Sequence, residues 1–240
     1  MDWRDEGIVI SVRRHGESAA IVEAFTSGHG RHAGVVRGGA GRRMAPLLQP
    51  GARLALDWSA RLEEHLGHFR VDPIDTPLAA VLADRAALAA LGSVAALIAA
   101  ALPERAAHPD LYAATRDLVA GLGRDPDWRA EYALWELRLL AELGFGLDLG
   151  ACAVTGATQD LAWVSPRSGR AVSRAAGAPW ADRLLALPAF LRLGGGAADA
   201  AALREALALT GHFLETRLGP TLAREALPPA RARAAALIVG

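Results

Sequence analysis

Along the first 75 residues, apolar and polar positions alternate in short runs broken by glycine. Residues 7–13, Gly-Ile-Val-Ile-Ser-Val-Arg, carry the two-residue period of a half-buried strand. A second run, 20–26, follows the polar turn His15-Gly16-Glu17-Ser18. Ser27-Gly28-His29-Gly30 has hairpin length and leads into a third run, 31–37. Gly38-Gly39-Ala40-Gly41-Arg42-Arg43 then breaks the pattern, Leu47-Leu48-Gln49-Pro50-Gly51 leads into a fourth strand over 53–58, and a fifth over 67–71 closes the set. Five short antiparallel strands in this length suit a small closed barrel such as the OB-fold. Closure also removes the exposed edges that so small a sheet would otherwise carry.

Asp72-Pro73-Ile74-Asp75-Thr76-Pro77 reads as a linker, and beyond it the period becomes helical. Residues 78–102 are rich in Ala and Leu, with an expected interruption at Gly92-Ser93 and a stop at Pro103. A helix over 111–122 ends at Gly121 and Gly123. Asp127 is the expected N-cap and Gly144 the C-cap of a helix over 128–143, whose Tyr132, Trp135, Leu139 and Leu143 share one face. Residues 145–179 leave the helical period, with short strands expected at 154–156, 161–165 and 169–173. Helices over 180–187, 198–217 and 221–227 finish the chain, Gly194-Gly195-Gly196 separating the first two. The expected fold class is therefore α+β multidomain: a five-stranded barrel over 1–75 and a helical domain over 76–240, interrupted by a small β insertion over 146–179.

Composition narrows the chemistry. Of 240 residues 52% are hydrophobic, so a packed core is expected. No apolar run approaches the ~20 residues of a membrane span; 86–102 falls short and reads as a core helix. The first residues, Met-Asp-Trp-Arg-Asp-Glu, lack the layout of a secretory signal, so a cytoplasmic protein is expected. A single cysteine, Cys152, excludes an intrachain disulfide and an all-cysteine metal site. Every one of the 26 basic side chains is arginine, which removes Schiff-base and P-loop lysine chemistry. Formal net charge is zero, so any polyanion site has to be a local patch.

Such a patch is visible. Between Glu23 and Asp57 there is no acidic residue, while Arg31, Arg37, Arg42, Arg43 and Arg53 fall in that stretch. Arg13 and Arg14 end the first strand and are expected nearby on a barrel. Glycines 38, 39 and 41 let backbone approach phosphate, and the guanidinium fork matches phosphate bidentately. The competing reading is an ordinary solvated loop in a chain that uses only arginine. Phe25, Trp58 and Phe69 sit at strand positions where core packing is expected, so contacts would be made chiefly with phosphate. Other candidates are weaker. His65 and His68 are three apart on a strand, which points them to opposite faces, and no third ligand follows. His29 and His32 flank the basic stretch as possible hydrogen-bond donors, and Glu63-Glu64 reads as a solvated turn. Cys152 has apolar neighbours and no adjacent histidine, which suits a buried inert thiol. Neither a Gly-x-Ser-x-Gly elbow nor a His-Glu-x-x-His helix occurs, and the triple glycine follows no strand-like run. The expectation is a protein that is not an enzyme and takes no cofactor.

The order of several short segments then resembles one family. They are Gly7-Ile8-Val9-Ile10, His15-Gly16-Glu17-Ser18, Phe25-Thr26, Gly28-His29-Gly30-Arg31, Val36-Arg37-Gly38 and Leu47-Leu48-Gln49-Pro50 in the first part. Further on come Trp135-Glu136-Leu137-Arg138-Leu139-Leu140-Ala141-Glu142-Leu143-Gly144-Phe145, Leu147-Asp148-Leu149, Cys152-Ala153-Val154-Thr155-Gly156, Leu187-Pro188-Ala189-Phe190-Leu191 and His212-Phe213-Leu214. Over essentially its whole length the chain resembles the bacterial recombination mediator family RecO. The resemblance implies an N-terminal OB-fold, a helical domain and a zinc-ribbon-like insertion. It implies binding of single- and double-stranded DNA, strand annealing, and work with RecR and RecF in loading the recombinase RecA onto gaps covered by single-strand-binding protein. It also implies docking of that protein's acidic C-terminal tail. Arg13, Arg14, Arg31, Arg37, Arg42 and Arg43 are the expected DNA contacts. An acidic tail ending in apolar residues needs an apolar groove with an arginine at its rim, and Arg129, Trp135 and Arg138 are the expected contacts there, unless they are core and solvated face. A scaffold whose barrel docks protein instead of DNA remains the alternative, and a hydrolase built on Cys152 is a third reading.

One departure is informative. Many relatives place two Cys-x-x-Cys pairs in the insertion, whereas here the first pair reads Cys152-Ala153-Val154-Thr155 and the second falls near Ser173 and Ala176. Three of four ligands are missing, so the insertion has to be held by packing, around Trp163, Val164 and Val172. Elemental analysis of the purified protein is expected to find no stoichiometric zinc; one zinc per chain would overturn this reading.

Overall fold

A computed structural model describes residues 1–222 and 226–240. Its two compact units are Met1–Arg124 and Asp125–Gly240.

The first unit begins with five strands: β1 (Asp2–His15), β2 (Ala19–Thr26), β3 (Gly30–Val36), β4 (Arg53–Ser59) and β5 (His68–Asp75). Their hydrogen-bonded order, β1-β2-β3-β5-β4, closes on itself. β1 starts five residues earlier than its hydrophobic alternation announces, because it serves two partners. Its first half pairs with β4, from Asp2 opposite Ser59 to Ile8 opposite Arg53, and its second half with β2, from Gly7 opposite Thr26 to His15 opposite Ala19. A bulge between Val9 and Ser11 lets one strand turn this corner. β5 likewise runs on to Asp75, through most of the expected linker.

Inward-facing Val9, Val22, Ala24, Leu54, Leu56, Trp58 and Phe69 fill the barrel. The outer face of β1 and β2 is also covered, which is why residues 7–10 are buried without alternation. Three helices follow: α1 (Leu78–Ala83), α2 (Arg85–Ala101) and α3 (Pro109–Gly121). α2 packs on β1, and α3 packs on β2 with Tyr112 edge-on to Phe25, ring centroids 5.7 Å apart. The chain breaks between α1 and α2 at Asp84, not at Gly92-Ser93. The Asp84 carboxylate accepts the backbone N–H groups of Ala86 and Ala87 at 2.8 and 3.2 Å, a local bond that competes with helix continuation. Gly92 and Ser93 lie inside α2, where packing outweighs their low propensity. After α2 the chain returns to the barrel. The Arg105 N–H donates to the Arg31 carbonyl at 2.9 Å, and the Arg105 guanidinium bonds the carbonyls of Glu63 and His65 in the β4–β5 turn. Gly30, at φ +61°, passes so close to Ala106 that a Cβ would lie 1.9 Å from its carbonyl oxygen.

The second unit holds α4 (Trp128–Glu142), a small sheet of β6 (Leu161–Val164), β7 (Ala171–Ser173) and β8 (Leu185–Ala186) in the order β7-β6-β8, and α5 (Arg174–Gly177), α6 (Ala189–Leu193), α7 (Ala200–Phe213) and α8 (Pro229–Val239). Residues 154–156, expected as a strand, form a turn. Residues 180–187, expected as a helix, are a 3₁₀ turn ending at Arg183, followed by β8 on the edge of the sheet. α7 passes into a π turn, Leu214–Leu218, and a 3₁₀ turn, Gly219–Thr221. Of the helix expected over 221–227, residues 223–225 lie outside the described residues. α8 has no counterpart in the sequence reading, since its Ala-rich stretch shows little apolar period.

The second unit is pinned by a buried ion pair. Glu136 on α4 is fully buried and meets Arg231 on α8 through Nε to Oε1 and Nη2 to Oε2, both 3.0 Å. Thr210 on α7 donates to the same carboxylate at 2.5 Å and Tyr132 at 3.0 Å, while Arg231 Nη2 also reaches the Leu207 carbonyl at 2.6 Å. Gly211 makes this possible: a Cβ there would lie 2.4 Å from Arg231 Nη1. Removing one partner of such a pair strands a buried charge, whereas replacing both by apolar groups is close to neutral. Glu136→Ala is expected to cost about 3–5 kcal/mol in denaturant unfolding of the full chain, and the Glu136→Leu/Arg231→Met pair to recover most of the loss. Equal losses in the single and paired variants would argue against this origin.

Candidate nucleic-acid interface

The register of the barrel brings most of the predicted arginines together. Arg14, Ala20 and Val36 lie side by side on β1, β2 and β3. Strands lie ~4.8 Å apart, so Arg14 and the end of β3 that carries Arg37 are separated by only one strand. The segment 37–52 is ordered against this end of the barrel. The Ala40 N–H donates to the Ser18 carbonyl at 3.0 Å, tying it to the β1–β2 turn. Leu48 is 1% exposed and joins the barrel core, and the Gly51 N–H and the Ala52 carbonyl bond the two sides of the Val9 peptide at 2.8 and 2.9 Å. Arg13, Arg14, Arg37, Arg42 and Arg43 thereby share one end of the barrel, all exposed, and none forms an ion pair among the described residues. Glu17, in the β1–β2 turn, is the one carboxylate carried by these two segments.

Arg31 does not join them. It stands at the other end of β3, six residues and roughly 20 Å from Arg37 at the rise of an extended strand. Its guanidinium is half-buried and paired with Glu23 at 2.5 Å, with Glu104 at 3.9 Å. The stretch without acidic residues suggested a free arginine here, but cross-strand pairing supplies the carboxylates from β2 and from beyond α2.

A groove of about 590 Å³ opens beside the basic end. Half-buried Met44 and Val71 line it above the buried Trp58 and Phe69, and Arg37, His68 and Arg70 stand at its rim. His68 and Arg70 were missed as site residues; the alternation of β5, with Phe69 inward, was the signal that both point outward. Further along the barrel interior Trp3 stacks on His29 at 4.0 Å and on Trp58 at 5.7 Å, and His32 meets Trp3 and Trp58 edge-on at 5.0 and 4.8 Å. His29 Nδ1 is 3.0 Å from Asp5, while both ring nitrogens of His32 are buried without a hydrogen-bond partner among the described residues. Burial, with Arg105 and His29 nearby, lowers the His32 pKa from 6.5 to about 4, so the ring is neutral. His32 is thus a structural member of the barrel.

In the second unit, Trp135 is fully buried and stacks beside Tyr132, so it cannot line a surface groove. Its helical face is the packed core of α4, where an aromatic stripe is ordinarily found. Arg138 is exposed, and Arg129 lies over the buried Trp128 ring, 4.5 Å from its centroid. The positions that would hold a metal do not fit one. Cys152 is buried and its sulfur accepts the Ser173 N–H at 3.3 Å. Hydrogen bonds from Thr155 and then Ser173 draw this thiol down to about 6. A lone sulfur met by Thr155 and Ser173 is not a tetrahedral donor set. Packing fills the place, with Val164 and Val172 buried and Trp163 lying against Gly177, where a Cβ would come within 2.4 Å of its ring.

Two sequence models match the chain: recombination protein O N terminal over residues 1–77 and recombination protein O C terminal over 82–225. The chain belongs to the recombination protein O family. It is 56% identical over 233 residues to the DNA repair protein RecO of Cereibacter sphaeroides, covering 97% of this chain and 96% of that one. It is similarly related to the proteins of that name from Ruegeria sp., 55% identical, and Dinoroseobacter shibae, 53% identical, at the same coverage. The family's N-terminal part thus ends where β5 meets α1, whereas the compact unit continues through α3. No helix among the described residues is long and apolar enough to cross a membrane.

The buried neutral His32 carries a pH signature. Its unfolded form takes up a proton below about 6.5 and its folded form only near 4, so the unfolded state binds more protons in that window. The stability it contributes is complete above the unfolded value and is lost as pH falls through the window, by on the order of 1–3 kcal/mol. Thermal melts should show a shallower acid decline for His32→Phe than for the parent chain; parallel declines would place the acid sensitivity elsewhere.

Proposed function

We propose that this chain is a non-catalytic DNA-binding protein of repair and recombination that works through two surfaces. The observation that carries the reading is the end of the barrel where Arg13, Arg14, Arg37, Arg42 and Arg43 converge, exposed and free of carboxylate partners among the described residues. The strand order β1-β2-β3-β5-β4 with a parallel β3–β5 contact is that of an OB-fold, a barrel that holds nucleic acid in basic grooves. The names of the curated relatives support the repair role.

On this reading the arginines neutralise the phosphates of single- and double-stranded DNA, and their charge lowers the repulsion between two complementary strands, so that annealing follows without bond chemistry. Family membership supports the rest. The protein acts in the cytoplasm with RecR, and with RecF, in replacing single-strand-binding protein by RecA at gaps. Arg138 and Arg129, exposed and half-exposed on α4, are the residues offered for the acidic tail of single-strand-binding protein, with Trp135 behind them as core. Residues 146–179, with β6 and β7, are the zinc-ribbon-like insertion, held by packing in place of a metal. The competing reading, a scaffold whose barrel docks protein, predicts no dependence of DNA binding on these arginines.

Affinity for fluorescent single-stranded DNA is measured across salt for the parent chain and an Arg37→Ala/Arg42→Ala/Arg43→Ala variant. The variant is expected to bind more weakly and to flatten the log–log salt slope by up to about 2, at ~0.7 per lost phosphate contact. An unchanged slope and affinity would favour the scaffold.

A further inference from the structure

Barrels that hold single strands without reading them ordinarily combine a basic groove with aromatic side chains on which the bases stack. The first unit has the basic surface without the open rings. Its tryptophan, tyrosine and phenylalanine side chains are Trp3, Phe25, Trp58, Phe69 and Tyr112. The last four are at most 5% exposed, and Phe25 lies under Tyr112 of α3. Trp3 is half-buried and already stacked with His29 at 4.0 Å and with Trp58 at 5.7 Å.

We propose that the barrel holds a single DNA strand by its phosphates alone, along a track from the basic end over Arg37 to His68 and Arg70, and leaves the bases of that strand facing solvent, where a complementary strand can pair with them. The proposal rests on the reading of the arginine end as a DNA contact and adds to it the course and the orientation of the strand.

Three observations carry it. The first is the closed core just described, which offers a base no ring to stack on. The second is the lining of the groove beside the basic end. Its exposed residues are Asp2, Arg4, Arg37, Ser59, His68 and Arg70, all polar, while Val36, Met44 and Val71 are buried or half-buried. The third is the course of the charges. Val35 pairs with His68, which sets β5 beside the end of β3 that carries Arg37. His68 and Arg70 flank the inward Phe69 and point outward together, about 6.6 Å apart at the rise of a strand. Arg4, Asp57 and Arg70 lie side by side on β1, β4 and β5, two arginines to one carboxylate. Arg4 takes Asp57 at 2.7 Å, which leaves Arg70 exposed with no ion pair among the described residues. The other carboxylate in the lining, Asp2, follows the terminal ammonium of Met1, whose own bond to the Ala60 carbonyl is 2.8 Å. A surface of fixed cations and hydrogen-bond donors over a closed core binds phosphate oxygens whatever the base attached to them. Bases held by no stack keep their pairing edges free, which is the condition for two complementary strands to meet on the protein.

The test uses the full chain and three probes: oligothymidylate, an abasic oligomer of the same length, and the same oligothymidylate carrying one 2-aminopurine. In fluorescence anisotropy the parent chain is expected to bind the first two with equal affinity and equal salt slope. Arg70→Ala should weaken both to the same degree and flatten the log–log slope by about 0.7, one phosphate contact. Acrylamide should quench the 2-aminopurine of the bound oligomer as fully as that of the free one. Tighter binding of oligothymidylate than of the abasic oligomer, about tenfold for one stacked base, overturns the orientation without recourse to any variant. So does a bound 2-aminopurine shielded from acrylamide. An Arg70→Ala variant that binds like the parent, while the Arg37→Ala/Arg42→Ala/Arg43→Ala variant loses binding, overturns the track and leaves the arginine end standing. If that triple variant also binds like the parent, the underlying DNA reading fails with it.

Discussion

The insertion of Leu48 into the end of the barrel is the contact on which the first unit's surface depends. It is an apolar side chain in the middle of a long connection between β3 and β4, and its burial draws that connection onto the barrel. Backbone bonds to Ser18 and Val9 then leave the segment no freedom to drift. A connection of this length and composition would otherwise be a solvated loop with arginines pointing anywhere. Held as it is, it sets Arg37, Arg42 and Arg43 beside Arg13 and Arg14 and builds one wall of the groove with Met44. The electrostatic site is therefore a consequence of hydrophobic packing.

The same logic explains which charges are spent on structure. Arg31, Arg4 and Arg105 are tied to carboxylates or carbonyls and stabilise strand ends and turns. The exposed Arg4–Asp57 pair contributes little energy, but each of these ties removes an arginine from the pool that can meet phosphate. In the second unit the partition is sharper. Arg231 is buried with Glu136, Thr210 and the Leu207 carbonyl, and its role is to set α4, α7 and α8 in one arrangement. Around Cys152 ordinary packing and the Ser173 N–H on its sulfur hold the segment.

Much of this was legible in the amino-acid order. Strand positions, the glycine turns, the helices over 109–121 and 128–142 and the arginine-bearing segment follow from local periodicity and turn chemistry, which depend on near neighbours in the chain. The sequence by itself also excluded lysine chemistry and an intrachain disulfide, with no lysine and one cysteine. Local signals failed where the deciding partner is distant. The start of β1 carries no apolar alternation in its sequence and is a strand because β4 pairs with it from Asp2 to Ile8. Asp84 breaks a helix that Gly92 does not, since its carboxylate bonds two backbone donors while exposed Gly92 has no side chain to compete with the helix. Residues 180–187 become a turn and an edge strand because β6 offers a partner.

Tertiary structure alone decided which arginines are free. Arg31 and Arg37 look alike in the sequence, and only cross-strand register places Glu23 beside one and, among the described residues, gives the other no ion pair. It also decided that Trp135 is core, that Arg70 and His68 border a groove, and that Glu136 has a partner 95 residues away. Charge and burial are properties of surroundings brought together by the fold, whereas period and turn are properties of the chain itself.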